Sequence, residues 1–151
     1  MSKIELLEQD SQTVLAIRTR TRVETLPNLI GESYMKILSY LNELGELPAG
    51  SPYTAYYNLA MQDLDVEMGF PVTKPLPDND EMKAGEIPPG RVVSYLYTGP
   101  YSGMEGPYNQ MFQWIQEKGY EPTGVCYEYY LNNPDEVPER DLQTRIVMPL
   151  K

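Results

Sequence analysis

The sequence predicts an α+β domain made of two copies of a strand-helix-strand-strand unit with antiparallel sheets. Three observations support this: an internal repeat at a fixed offset, one amphipathic helix in each copy, and β-branched or aromatic runs beside each helix. We expect the copies to pack about a pseudo-twofold axis with a ligand cleft at the seam. Residues 1–151 then form a single domain, with repeat one at about 12–72, a linker at about 73–90 and repeat two at about 91–150.

The repeat lies in two 25-residue segments that align without a gap. The segment YMKILSYLNELGELPAGSPYTAYYN matches YNQMFQWIQEKGYEPTGVCYEYYLN at an offset of 74. A second block matches at an offset of 78, from Asp63 over Asp141 to Pro71 over Pro149, and a longer hairpin around NPDEVPER accounts for the four extra residues. The identical pairs of the first block include Tyr34/Tyr108, Gly45/Gly119, Pro48/Pro122, Gly50/Gly124, Tyr53/Tyr127, Tyr56/Tyr130 and Asn58/Asn132.

Each copy contains one predicted amphipathic helix. Bulky apolar residues recur at i, i+3, i+4 and i+7 from Tyr34 and again from Tyr108. Gly45 and Gly119 follow the two helices, at the position where a left-handed residue commonly ends a helix. In TGPYSGMEGPY, a serine and a glutamate have the spacing of a capping box, but the neighbouring Gly-Pro pair leaves the start of the second helix open.

A β-branched run precedes each helix, and two further strands follow it. The segment PVTKPLPDNDEMKAGEIPPG joins the copies and is rich in proline and acidic residues, so we expect a linker or exposed loop whose DNDE run is solvated. The predicted strands are 13–23, 53–59 and 64–70 in the first copy, and 91–98, 125–131 and 144–150 in the second.

The composition excludes several classes of function. With no histidine and one cysteine, the chain cannot form a Ser-His or Cys-His triad or a His/Cys zinc site, and we expect no cofactor. The net charge of −10 and the pI near 4.4 oppose direct binding to nucleic acid or an anionic membrane. The N-terminus has neither a basic n-region nor an apolar h-region, and the lone Cys126 fits a reducing compartment, so we expect a cytoplasmic protein.

Glu128 breaks the match between the copies, because it aligns with Thr54. Strand alternation in VCYEYYL puts Cys126, Glu128 and Tyr130 on one face. A carboxylate in such a strand is costly to bury unless a donor or a cation satisfies it. Three interpretations stay open: the carboxylate attracts a cationic ligand, the face is wet, or Glu128 pairs with an arginine such as Arg145 on the neighbouring strand.

Tyrosine is unusually frequent, with 13 residues against two phenylalanines and one tryptophan. A phenol combines an apolar face with a polar tip, which suits a pocket that stacks on planar cations. The alternative is ordinary packing, above all for Tyr34, Tyr40 and Tyr108 at helical spacing.

The chain resembles the GyrI-like effector-binding domains in the order and spacing of five features. These are GRVVSYLYTGPYSG, a helix with Trp114, KGYEPTG, YEYYLNNP and TRIVMPL. These occur as ligand-sensing halves of multidrug-responsive MerR- and AraC-type transcription regulators and as stand-alone proteins. The resemblance implies the duplicated fold and a buried glutamate that attracts cationic aromatic drugs, here Glu128. No helix-turn-helix precedes Ile4, so we expect no direct contact with DNA, and a DNA-binding domain acting in trans stays open. The expected ligand-binding residues are Glu128, Tyr130, Tyr56, Tyr101, Trp114, Phe70 and Tyr97.

The expected function is therefore the binding of lipophilic, cationic aromatic small molecules in a tyrosine-rich cleft with a central glutamate, without catalysis. One alternative is a GyrI-like hydrolase of reactive cyclopropanoid-type toxins, in which Glu128 acts with an aromatic hydroxyl. Another is a modulator of gyrase or a different protein partner. A homodimer also stays open.

Overall fold

The computed structural model describes residues 4–151, which form strands and helices of an α+β fold. This confirms the predicted fold class. The strands are β1 (Ile4–Gln9), β2 (Gln12–Thr21), β3 (Tyr53–Tyr56), β4 (Leu64–Pro71), β5 (Met82–Ile87), β6 (Gly90–Thr98), β7 (Cys126–Tyr130) and β8 (Gln143–Pro149), and the helices are α1 (Leu26–Glu43) and α2 (Glu105–Glu117).

The chain divides into two compact units, residues 10–89 and residues 4–9 together with 90–151. In the first unit the strands lie in the order β3-β4-β2-β5, with α1 packed on one face. In the second the order is β1-β6-β8-β7, and α2 packs on one face. All of these neighbouring strands are antiparallel. The predicted strand-helix-strand-strand unit is thus β2-α1-β3-β4 in the first copy and β6-α2-β7-β8 in the second.

The expected linker at about 73–90 contains β5, so the prediction of a linker or exposed loop is wrong for Met82–Ile87. β5 pairs with β2, with Met82 opposite Ile17, just as β1 pairs with β6, with Ile4 opposite Tyr95. The offset between the two pairings is again 78. The first copy therefore begins with β1 and the second with β5, one strand earlier than the sequence indicates. β1 pairs within the unit that contains the rest of the second copy, and β5 pairs within the unit that contains the rest of the first copy.

The two helices end in the same way. Gly45 and Gly119 have φ values of 71° and 78°, in the left-handed region where glycine is favoured. The next residue in each copy donates its N–H to a carbonyl five residues back, from Glu46 to Leu41 (2.9 Å) and from Tyr120 to Ile115 (3.0 Å). The predicted helix ends are confirmed. At the start of α2 the capping box does not form, because Met104 is the N-cap and no side chain caps it.

An equivalent asparagine holds the last hairpin of each copy. Asn58 donates to the carbonyl of Asp63 (3.1 Å) and accepts from the N–H of Asp65 (3.2 Å). Asn132 donates to the carbonyl of Asp141 (3.0 Å) and accepts from the N–H of Gln143 (2.9 Å). The offset therefore changes from 74 to 78 inside the NPDEVPER hairpin, as predicted.

The residues that α2 buries define the floor beneath the candidate site. Met111 and Ile115 of the helix pack with inward-facing residues of β6 and β8, including Ile146 and Met148. Burial of this apolar face stabilises the unit. None of the helices in residues 4–151 is long and apolar enough to cross a membrane.

Candidate functional site

The candidate site is centred on Glu128, in the middle of β7. Its side chain is 9 % exposed, and it is the one charged residue among residues 4–151 that is classed as buried. Tyr127 and Tyr129 stack on each other with ring centroids 6.3 Å apart, which agrees with their predicted place on the opposite face. Because Glu128 is buried, the interpretation that its face is wet is wrong.

Two phenols hold the carboxylate of Glu128. The hydroxyl of Tyr108, on α2, donates to Oε2, and the hydroxyl of Tyr130, two residues further along β7, donates to Oε1 at 2.8 Å. Both partners are neutral. In residues 4–151, no lysine or arginine nitrogen lies within 4 Å of the carboxylate.

Arg145, the proposed ion-pair partner, is engaged elsewhere. It lies opposite Tyr129 in the β7–β8 pair, whereas Glu128 lies opposite Ile146. Because side chains alternate along β8, Arg145 projects from the other face. There its Nη1 donates to Oγ of Ser94 at 3.0 Å. The ion pair with Arg145 is not formed.

Burial dominates the electrostatics of the site. Desolvation raises the pKa of Glu128 above its ordinary value, and the hydrogen bonds from Tyr108 and Tyr130 oppose this only in part. Desolvation, with a smaller contribution from the charge of Glu128, raises the pKa of Cys126 to about 12 and also raises the pKa of Tyr101. The site thus favours either a protonated Glu128 or a bound cation.

Tyr101 provides an exposed aromatic ring beside the carboxylate. It lies in a 3-10 turn before α2, is 42 % exposed, and meets the ring of Tyr130 edge-on at a centroid distance of 5.6 Å. Tyr97 fixes this turn, because its hydroxyl donates to the carbonyl of Pro100 at 2.7 Å. A Cβ at Gly103 would overlap that hydroxyl, so a larger residue there would have to displace it. The Gly-Pro-Tyr-Ser-Gly segment positions Tyr101.

Thr144 adds a polar atom to the floor of the site. The residue is fully buried, and its Oγ1 has no hydrogen-bond partner within residues 4–151. Thr144 lies opposite Tyr97 on one side and Tyr130 on the other. A buried hydroxyl without a partner costs free energy, which a ligand group or a water could recover.

The structure brings together four of the seven predicted binding residues, namely Glu128, Tyr130, Tyr101 and Tyr97. Trp114 lies instead near the C-terminal end of α2, where its ring stacks on Tyr120 at a centroid distance of 6.3 Å. Tyr56 and Phe70 belong to the other unit: Tyr56 packs against the core of that unit, and Phe70 is 5 % exposed and meets Tyr34 edge-on at 5.4 Å. Ligand contacts by these three residues stay predictions.

The sequence interpretation missed Tyr108 and Thr144. Helical periodicity was enough to explain Tyr108 as a packing residue. The repeat contained a stronger signal, which indicates a hydrogen bond to the strand. Tyr34 aligns with Tyr108, and the hydroxyls of Tyr34 and Thr54 are hydrogen-bonded at 2.9 Å, so each tyrosine bonds the residue 20 positions later. No comparable signal marks Thr144, because the lack of a partner appears only in three dimensions.

The family of the chain follows from the comparison of its sequence with known families. The sequence model described as the GyrI-like small molecule binding domain matches residues 2–151. The chain belongs to this family. It is therefore a GyrI-like small-molecule-binding domain, and a small molecule is its expected ligand. No curated protein matches the chain.

Solved structures with the same fold come from proteins of different descriptions. EcmrR in a DNA complex matches with a TM-score of 0.81 and 19 % identity, over 99 % of this chain and 57 % of the EcmrR chain. A hydrolase from Listeria innocua matches at 0.72 and 13 % identity, over 99 % and 92 % of the chains. SAV2435 bound to tetraphenylphosphonium matches at 0.70 and 10 % identity, over 99 % and 94 %. The chain thus spans just over half of EcmrR, and at these identities the likeness shows the fold alone.

Proposed function

We propose that this chain binds lipophilic, cationic aromatic small molecules at the site formed by Glu128, Tyr108, Tyr130 and Tyr101. The observation that carries the proposal is the carboxylate of Glu128, which is 9 % exposed and has two neutral phenols as its partners. A buried carboxylate ordinarily has a cation or several strong donors beside it. Here a ligand would supply the cation.

The energetics favour a ligand that is both charged and aromatic. A cation beside Glu128 stabilises the ionised carboxylate, whose pKa burial has raised, and so recovers part of the cost of desolvation. The rings of Tyr101 and Tyr130 add cation–π contacts of about 0.5–2 kcal/mol each. A small ammonium ion would gain the electrostatic interaction with Glu128 but little of the cation–π contacts with the tyrosine rings.

Two further observations support this class of ligand. The net charge of −10 raises the local concentration of cations around the protein. SAV2435, which has the same fold, was solved with tetraphenylphosphonium, a lipophilic aromatic cation.

Titration with rhodamine 6G, followed by fluorescence polarisation, tests the proposal. Glu128→Gln keeps the shape of the side chain and removes its charge, and we expect at least about tenfold weaker binding, or 1.4 kcal/mol. Glu67→Gln is the matched control, because Glu67 also accepts from two tyrosine hydroxyls, those of Tyr53 (2.7 Å) and Tyr57 (3.2 Å). Equal affinities of the wild type and Glu128→Gln would refute the proposal.

Hydrolysis is a second candidate function, favoured by the raised pKa of Glu128 next to two phenolic hydroxyls. In this mechanism the carboxylate accepts a proton from water as the water adds to the substrate, and a tyrosine hydroxyl protonates the leaving group. The hydrolase from Listeria innocua shares the fold. Incubation with a panel of activated cyclopropanes, followed by mass spectrometry for a water adduct, tests this candidate, and the absence of adducts above the buffer rate would exclude it.

A further inference from the structure

The two copies differ at a second position on the face of the sheet that carries Glu128. At the offset of 78, Thr144 of β8 corresponds to Val66 of β4. Both residues are 0 % exposed, and their cross-strand neighbours are equivalent, because Val66 lies opposite Tyr56 and Thr144 lies opposite Tyr130. Threonine and valine have nearly the same shape. The second copy therefore has a hydroxyl at a core position where the first copy has a methyl group.

The hydroxyl of Thr144 has no hydrogen-bond partner within residues 4–151. The cross-strand neighbours on either side, Tyr97 and Tyr130, donate their own hydroxyl protons elsewhere, to the carbonyl of Pro100 and to Oε1 of Glu128. A buried hydroxyl without a partner destabilises the fold, and a valine in its place would not. The fold itself does not need this polar group, and such exceptions to the packing rules are expected at functional sites.

Thr144 and Glu128 are close enough for one ligand to reach both. Glu128 lies opposite Ile146, and Thr144 lies two residues before Ile146 on β8. Their side chains therefore project from the same face of the sheet. Residues in this diagonal arrangement are about 7–8 Å apart, a distance that a fused aromatic ring system spans.

The neighbouring carboxylate determines which ligand group suits Thr144. A hydroxyl can accept from an N–H group or donate to a carbonyl oxygen. The negative charge of Glu128 attracts the positive end of a nearby dipole and repels a carbonyl oxygen. An N–H group of the cation itself fits best, because it carries part of the positive charge and makes a charge-assisted hydrogen bond.

We propose that Thr144 is a specificity-determining residue of the site, and that its hydroxyl accepts a hydrogen bond from an N–H group of the ligand. This inference rests on the proposed function and narrows its ligand class to aromatic cations with N–H groups, which are preferred over fully N-alkylated ones. Because Oγ1 is buried, a side chain has to move before a ligand reaches it. We expect this side chain to be Tyr101, whose ring is 42 % exposed and meets Tyr130 edge-on.

Two xanthene dyes that differ only in N-methylation test the inference. Rhodamine 123 has N–H groups on its exocyclic nitrogens, whereas tetramethylrhodamine methyl ester has methyl groups there, and both are monocations. Fluorescence polarisation with the full chain at about pH 8 gives the Kd of each dye. The preference is the Kd of the methylated dye divided by that of rhodamine 123, so the difference in lipophilicity between the dyes cancels when two proteins are compared. Thr144→Val should lower the preference at least about fivefold, because only rhodamine 123 loses a hydrogen bond.

Two variants serve as controls. Thr144→Ser keeps the hydroxyl and should keep the preference of the wild type. Thr98→Val removes a hydroxyl that is exposed and lies one residue after Tyr97 on β6, so it projects from the other face of the sheet, and the preference should not change. Valine fits at position 144, since Val66 fills the equivalent position in the first copy.

The outcomes separate this inference from the proposed function. If Glu128→Gln weakens both dyes but Thr144→Val has the preference of the wild type, the inference is overturned and the proposed function stands. An equal loss of preference in Thr144→Ser and Thr144→Val would also overturn it, because shape and not the hydroxyl would then decide. If Glu128→Gln binds both dyes as tightly as the wild type, the proposed function fails and this inference fails with it.

Discussion

Replacing Glu128 with glutamine should stabilise the protein at pH 8 and have almost no effect at pH 4. The wild-type carboxylate is 9 % exposed and its partners are two neutral phenols, so the ionised form is less well solvated in the folded state than in the unfolded state. Glutamine has nearly the same shape and carries no charge. Its oxygen can accept from one phenol, and its amide can donate to the other.

The sign follows from the raised pKa of Glu128. A carboxyl whose pKa is raised by folding contributes stability that is complete below the unfolded pKa of about 4.3 and is lost as the pH rises through the folded pKa. Each unit of that rise costs the wild type about 1.4 kcal/mol at high pH, or about 3–6 °C in Tm for a chain of this length. The glutamine variant does not lose this stability.

Urea denaturation of both proteins between about pH 4 and 8, followed by circular dichroism, measures the difference. Taking the difference between the two proteins cancels the titration of the other carboxyl groups. Glu67→Gln should give no gain at pH 8, because Glu67 lies opposite Arg18 in the sheet and its charge is favourable there. If Glu128→Gln were less stable than the wild type at pH 8, the carboxylate would be well satisfied without a ligand, and the reasoning would be refuted.

Three other substitutions test the geometry of the site. Tyr108→Phe removes one donor to the carboxylate and should weaken dye binding several-fold, whereas Tyr34→Phe, its counterpart in the repeat, should leave the dye affinity unchanged; equal effects would contradict the assignment. Gly103→Ala should cost about 1–3 kcal/mol in urea denaturation, because a Cβ there overlaps a tyrosine hydroxyl, while Gly106→Ala, which meets nothing, should not destabilise. Thr144→Val removes a buried hydroxyl without a partner and should raise the free energy of unfolding by about 1 kcal/mol; a loss of stability would show that the hydroxyl is satisfied.

The duplication could be read from the sequence because the identical residues are those the backbone requires. Gly45 and Gly119 adopt left-handed conformations, and Asn58 and Asn132 hold hairpins. Substitution at such positions is costly, so the match remains visible after other residues have diverged. The two helices and their ends were predictable for the same reason.

The exchanged strands could not be predicted in this way. Strand β1, IELLEQ, and strand β5, MKAGEI, share only the pair Glu8/Glu86 at the offset of 78. Both lie at the ends of the strand orders of their units and have exposed residues along most of their length, so packing imposes little on their side chains. A proline-rich and acidic setting then made β5 look like a loop.

The centre of the site was predictable, and its surroundings were not. Glu128 stood out because the other copy has Thr54 at that position. The side chains around it depend on the third dimension: Tyr108 approaches from α2, and Thr144 from β8. Trp114 was included through family resemblance, although its position six residues after Tyr108 turns it away from the face of α2 that meets the carboxylate.

The most direct test of the central claim is the pH dependence of tetraphenylphosphonium binding, measured by calorimetry in buffers of different ionisation enthalpy. A cation that binds next to Glu128 must displace its proton, so wild-type affinity should rise with pH between about 4.5 and 8, with release of up to about one proton at the lower end. Glu128→Gln should bind more weakly and release no proton. Binding by the wild type that is independent of pH, or equal proton release by the variant, would show that the cation does not meet this carboxylate.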